Sequence, residues 1–187
     1  MAERPAGTVT FLFTDIEGST RLLAELGAER YRTALEDHRQ ILRKAIARHE
    51  GHEVGTEGDS LLVAFAKATN AVQAAQEAQR DLASHAWPDD RPLRVRMGIH
   101  TGEVTDASDQ YVGIGLHRGA RIAAAGHGGQ ILVSQATADL LTDARDVSLR
   151  DLGVHRLKDL DEPQHIHQLQ IPGLPNGFVF SNLPPCR

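Results

Sequence analysis

The chain has 187 residues, a length that suits one domain with a short extension. Hydrophobic residues make up 41 % and aromatic residues only 4 %, so Leu, Val, Ile and Ala must fill the core. The formal charge of −5 argues against direct nucleic-acid binding, which rests on neutralising phosphates with Lys and Arg. Cys186 is the single cysteine, so no disulfide closes within the chain, as in a reducing compartment. The start, MAERPAG, has no apolar leader stretch, and no run approaches the roughly 18 apolar residues of a membrane helix. These features predict a cytoplasmic protein without a membrane segment.

Residues 8–14 read as a buried strand rich in Val, Phe and Thr. Ser19 or Thr20 can cap a short helix to about Leu26, which Gly27 interrupts. Tyr31, Leu35, His38, Leu42 and Ala45 recur at helical spacing, so a second helix runs to about His49 and stops at Gly51. HEVGTEGDSLLVAFA reads as a hairpin turning near Glu57-Gly58-Asp59, and residues 67–85 as an Ala-rich helix. After the loop WPDDRP, residues 93–100 form a strand and TGEVTDASDQ a polar loop. Residues 112–125 are expected as a helix, 130–133 as a strand, and 134–142 as a helix capped by Ser134. Residues 146–171 read as further strands with a turn around Asp159–Pro163. The expectation is therefore an α+β domain over residues 1–171, with a ferredoxin-like βαββαβ core and extra C-terminal elements. Residues 172–187, rich in Pro and Gly, read as a linker or tail.

In that topology the end of the first strand lies beside the start of the third, which makes neighbours of Asp15 and Asp59. Two adjacent carboxylates repel unless something neutralises them, and a hard cation with oxygen ligands does so. The stretch after Asp15 offers free N–H groups at a helix start, which attract anions, and Gly18 permits close approach. A lone Asp before a helix is usually a cap, and a Gly-Asp hairpin usually a turn. Together in this strand order, TDIEGST and EGDS read as a metal–polyphosphate site.

FLFTDIEGSTRL, TEGDSLLVAF, VRMGIHTGEV, YVGIGLHRGARIAAAGHGGQILVS and HRLKDLDEPQHIHQL resemble, in order, the motifs of the class III nucleotidyl cyclase catalytic domain. The resemblance spans about residues 8–170 and is nearest to bacterial members that precede regulator modules. It implies that ATP is cyclised to cyclic AMP with release of pyrophosphate, and the divergent base-reading half leaves GTP open as a second substrate. It implies two Mg²⁺ or Mn²⁺ ions per site on Asp15 and Asp59, with the Ile16 carbonyl assisting. It places Glu17, Gly18, Ser19 and Thr20 around the β- and γ-phosphates, with Arg96 and Lys158 also on phosphate. Arg121 would steady the charge developing at the α-phosphate. Family sites form between two chains arranged head to tail, so the partner implied is a second copy.

The base-reading half departs from the family pattern. Gly55 stands where an adenine-reading lysine is usual, Gln110 where an Asp or Thr is usual, and His117 where a ribose-orienting asparagine is usual. Gln110 can pair with either purine, His117 can replace the ribose contact, and Asp109 takes over if the loop register differs by one. The main reading is a divergent adenylate cyclase with retained Asp15, Asp59 and Arg121. The alternative is a catalytically weak or inactive nucleotide-binding or dimerising regulatory module. A polymerase-type transferase with a related palm fold fits less well, because GIHTGE and GARIAAAGHGGQILVS do not suit it.

Overall fold

The computed structural model describes residues 4–107 and 110–178. Strand β1 (Thr8–Ile16) lies inside the sheet with both faces covered. Leu12 and Ile16 point into one core cluster, and Val9 and Phe11 into another, the period of two that a strand imposes. β1 pairs antiparallel with β3 (Ser60–Phe65) on one side and with β4 (Val95–Glu103) on the other. β2 (His52–Glu57) completes the hairpin with β3. The helices between these strands are α1 (Ser19–Leu26), α2 (Ala28–Arg48) and α3 (Ala68–Ser84). This is the expected βαββαβ core.

The chain then adds a small antiparallel ribbon, β5 (Thr105–Ala107) with β6 (Gln110–Val112), followed by helix α4 (Ile114–Ala125). Three more strands extend the sheet: β7 (Ile131–Ser134), β8 (Ser148–His155) and β9 (Gln164–Gln170). The order across the seven strands is β2-β3-β1-β4-β7-β9-β8, and only the β4–β7 pairing is parallel. The larger core cluster joins Leu12, Val63 and Ile99 to Ala75 and Leu82 of α3 and Leu42 of α2. On the opposite face α4 packs almost without intervening side chains. A Cβ added at Gly98 would come 2.5 Å from the Ala123 nitrogen, and one at Gly119 would come 2.3 Å from the Phe13 ring.

Several boundaries differ from the sequence reading. Gly18, not Ser19 or Thr20, is the N-cap of α1, with no side-chain cap bond; Ser19 and Thr20 lie inside the helix. Gly18 adopts φ 67°, a left-handed turn that brings the chain sharply from strand to helix and that glycine enters without a Cβ penalty. The polar stretch after residue 100 is not one loop: β4 continues to Glu103 and the β5–β6 ribbon follows. Ser134 caps α5 (Gln135–Asp139) as expected, accepting from the Thr137 N–H, but the helix stops well short of residue 142. Residues 172–178, read as part of a linker or tail, pack on the domain. The Asn176 side chain exchanges hydrogen bonds with the Ile171 backbone, and Leu174 joins the larger core. Among the described residues no helix is long and apolar enough to cross a membrane.

Two histidines are fully enclosed. Burial, reinforced by the Arg39 charge, pushes the His38 imidazole down to about 4. Both its ring nitrogens lack a hydrogen-bond partner among the described residues. Burial and the Arg118 charge likewise push His100 down to about 4, with its Nδ1 lying 2.9 Å from Ser134 Oγ. A lowered folded value means that both stay neutral in the fold while the unfolded chain takes up protons. Their contribution is constant above pH 6.5, is lost as the pH falls toward 4, and is flat below. The expected loss is about 3 kcal/mol per histidine. Urea unfolding measured from pH 7 to pH 4 should show a clearly shallower acid slope for His38→Leu than for wild type. Identical slopes would show that His38 takes no part in acid destabilisation.

Candidate active site

The strand pairings decide where the charges meet. Thr14 pairs with Leu61 across β1 and β3, so Asp15 reaches the end of β3, where the hairpin turn delivers Asp59 and Ser60. Gly58 makes that turn at φ 60°. Asp59 Oδ2 accepts from the Ile16 N–H at 3.0 Å, and Ser60 Oγ donates to Asp15 Oδ1 at 3.0 Å. The two carboxylates are thus tied to the same two-residue stretch of β1. On the other side, Arg96 of β4 sits directly opposite Asp15. Its Nε donates to Asp15 Oδ2 at 2.6 Å, a terminal nitrogen closes a second contact with the same oxygen, and the other terminal nitrogen reaches the Ala124 carbonyl of α4 at 3.3 Å. Arg96, expected on phosphate, therefore compensates Asp15 in this structure.

Beyond Ile16 the chain turns through Glu17, whose N–H donates to the Arg94 carbonyl at 2.9 Å, and through Gly18 into α1. The first N–H groups of a helix have no intrahelical acceptor, so those of Ser19 and Thr20 remain open to an anion. A groove of about 600 Å³ opens beside the carboxylates, with Asp15, Gly55 and Ser60 at its polar part. Phe13, Leu62 and Leu116 supply apolar walls. A Cβ at Gly55 would meet nothing within 4 Å, so a longer side chain has room there.

The remaining expected residues form a second group. His117 and Arg121 lie one turn apart on α4, and neither lines that groove. Arg121 forms an ion pair with Asp159, the neighbour of exposed Lys158, so Arg121 and Lys158 share one rim of the domain. Gln110 opens β6; its side chain and the whole of Asp109 lie outside the described residues. One chain thus unites Asp15, Ile16, Asp59, Arg96 and Gly55, and separately unites Arg121, His117 and Lys158.

Three residues near the carboxylates are not among the expected site residues. Arg39 of α2 donates to the Gly58 carbonyl at 2.7 Å and so braces the turn that carries Asp59. Tyr31 hydrogen-bonds Ser19, and burial together with the Asp59 charge holds its hydroxyl above the usual phenol range. Ser60 was visible only as the residue after Asp59. Helical periodicity reports which face of α2 is buried, not which long side chain bends back to a loop.

Comparison with known proteins identifies the family and the fold. The chain belongs to the adenylate and guanylate cyclase catalytic domain family, whose model matches residues 1–170. An uncharacterized Mycobacterium tuberculosis protein is 37 % identical over 187 residues, covering 98 % of this chain and 61 % of that protein. The chain therefore spans about three-fifths of the length of that relative. A putative adenylate cyclase of Rhizobium meliloti is 27 % identical over 157 residues, covering 83 % of this chain and 27 % of its own. Among solved structures, a Trypanosoma brucei adenylate cyclase in its monomeric state superposes with a TM-score of 0.82 at 28 % identity, covering 91 % of this chain and 92 % of that one. The adenylyl cyclase CyaB from P. aeruginosa superposes at 0.72 with 25 % identity, covering 88 % and 94 %.

The Arg96–Asp15 contact has a measurable consequence. Both side chains are less than a third exposed, unlike the Arg32–Glu36 surface pair at 65 % and 59 %. Without added metal, Arg96→Gln should lower stability by about 1.5–3 kcal/mol, because it leaves Asp15 beside Asp59 without its cation. Arg32→Gln should cost less than about 0.5 kcal/mol. Chemical denaturation of the two variants measures the difference, and equal losses would show that Arg96 does not relieve the carboxylate pair.

Proposed function

We propose that the chain is a nucleotidyl cyclase that converts ATP to 3′,5′-cyclic AMP and pyrophosphate, acting in intracellular signalling. The observation that carries this reading is the meeting of Asp15 and Asp59 at one strand end, directly before the open N-terminus of α1. An all-oxygen donor set of two carboxylates beside the Ile16 carbonyl suits hard divalent cations, two Mg²⁺ or Mn²⁺. Such ions would activate the attacking hydroxyl and offset the charge on the leaving pyrophosphate.

The chain's own residues then have separable tasks. Ser19 and Thr20 offer backbone N–H groups to the β- and γ-phosphates, and Gly18 leaves room for them. Arg96 holds Asp15 in this structure and would be available to phosphate were cations to neutralise that carboxylate. The 3′-oxygen attacks the α-phosphorus, the bond to the β-phosphate oxygen breaks, and the hydroxyl proton leaves to solvent. Arg121 supplies a fixed positive charge as negative charge grows on the α-phosphate, the electrostatic term that dominates phosphoryl chemistry.

Arg121 and Lys158 do not line the groove that holds Asp15. A head-to-tail homodimer brings them to the nucleotide held by the other copy, making two equivalent sites. Val112 and Ile114, 53 % and 64 % exposed around the start of α4, give such a contact apolar surface to bury. The base is held weakly in this account. Gly55 offers no side chain, so the metal and phosphate contacts carry most of the affinity and ATP is only modestly preferred over GTP.

Purified protein with Mn²⁺ and ATP should release cyclic AMP and pyrophosphate in equal amounts, with GTP turned over within about tenfold, one good polar contact's worth of discrimination. Asp15→Asn and Asp59→Asn should each remove the activity while leaving the circular dichroism spectrum unchanged. Nucleotide binding without any cyclic product would instead support a regulatory module that retains the fold and has lost the chemistry.

A further inference from the structure

The opposite edge of the sheet carries a second cluster of ligating side chains. β4 and β7 separate β1 from β9, and β8 forms the outer edge. His165 and His167 are two residues apart on β9, so both project to one face of the sheet. Their rings stack with centroids 4.7 Å apart and planes 26° from parallel. Asp151 of β8 pairs with His167 across the two strands. The register then shifts between Asp151 and Gly153, an irregularity of the kind that re-aims a side chain. The Gly153 N–H donates to Asp151 Oδ1 at 2.7 Å, and that same oxygen lies 2.7 Å from His165 Nε2. On the inner side, His167 Nε2 lies 2.7 Å from Gln135 Oε1 of α5, whose amide nitrogen donates to Asp139 at 2.6 Å. One ligand atom from each of Asp151, His165 and His167 falls within 4.8 Å of the other two.

We propose that Asp151, His165 and His167 form a binding site for a borderline-soft divalent transition metal ion of the Zn²⁺ type, distinct from the hard-cation site at Asp15 and Asp59. Two imidazoles and one carboxylate are a common three-residue ligand set for Zn²⁺, with water in the fourth tetrahedral position. Metal–ligand bonds of about 2.0–2.2 Å place tetrahedral ligand atoms roughly 3.3 Å apart. The His165–Asp151 separation is 2.7 Å and all three ligand atoms lie within 4.8 Å of one another, so small movements reach that value. Asp151 is exposed and both rings are half-buried, so side-chain rotation alone closes the difference.

Burial and the adjacent His165 hold His167 below the usual imidazole range. His165 and the Gly153 N–H hold Asp151 below the usual carboxylate range. A bound ion would take the place of the hydrogen between His165 Nε2 and Asp151, with the imidazole keeping its remaining proton on Nδ1. A bare surface histidine–aspartate pair needs neither the second imidazole nor the re-aimed carboxylate. The bound ion would tie the outer strand β8 to β9.

The test titrates Zn²⁺ into the full chain by calorimetry, with excess Mg²⁺ present to occupy the oxygen-only carboxylate site. One equivalent should bind, and the imidazole resonances of His165 and His167 should shift while those of His38 and His100 stay in place. His165→Gln and His167→Gln should each weaken binding by more than about a hundredfold, since even groups outside the ligand set cost roughly 10–100-fold. Asp15→Asn should leave the Zn²⁺ isotherm unchanged. The proposal is overturned if Zn²⁺ binds the histidine variants as it binds wild type, or if the two imidazoles do not respond. Neither result bears on cyclase activity, which is read from a different site.

Discussion

Asp15 and Asp59 are brought together by backbone pairing that neither side chain can avoid. Antiparallel pairing of β1 with β3 places the end of one strand at the start of the other, and the Gly58 turn fixes the second carboxylate there. Like charges so placed must be compensated. In this structure the compensation is local and complete in kind: the Ile16 N–H on Asp59, the Ser60 hydroxyl on Asp15, and the Arg96 guanidinium from the strand opposite. The site is thus a balanced set of charges built into three neighbouring strands, and in the proposed function a divalent cation would take over from Arg96 at Asp15.

The rest of the domain serves that arrangement. Helix α4 lies close on β1 and β4 because Gly98 and Gly119 carry no Cβ, and this brings the Ala124 carbonyl to Arg96. The same helix carries Arg121 outward to Asp159, beside Lys158. Arg39 reaches from α2 to the Gly58 carbonyl and holds the turn from behind. The strands that follow α4 widen the sheet and give α4 a second surface through Leu132, Ile122 and Ile166, so the helix cannot slide on β4. Arg121 does not line the Asp15 groove and pairs with Asp159 instead, and the proposed site completed by a second copy accounts for that placement.

Much of this was legible in the sequence, for reasons specific to the elements concerned. β1 announces itself as a continuous apolar run, because both of its faces are covered. The apolar run LLVAF and the turn residues Glu57-Gly58-Asp59 define the hairpin, and with strand order known the meeting of Asp15 and Asp59 follows. Cooperation of distant side chains was not legible. The register that sets Arg96 opposite Asp15 depends on pairings that no local pattern encodes. The reach of Arg39 to Gly58 and the ion pair of Arg121 with Asp159 depend on long side chains whose rotamers are chosen by tertiary contacts. Ser19 and Thr20 are strong cap formers and so draw the expected cap of α1 to themselves, while the left-handed turn at Gly18 starts the helix one residue earlier. The Pro- and Gly-rich composition of residues 172–178 signals a lack of regular structure, and that is compatible with the fixed docking made by Asn176 and Leu174.

In the proposed function two copies share one site, with the carboxylate pair from one and Arg121 from the other. Mixing Asp15→Ala protein with Arg121→Ala protein puts this to the test. Each variant alone should form no cyclic product. After subunit exchange, half of the sites in each mixed dimer lose both groups and the other half retain both, so cyclic AMP formation should return. Demonstrated exchange without any return of activity would contradict the account.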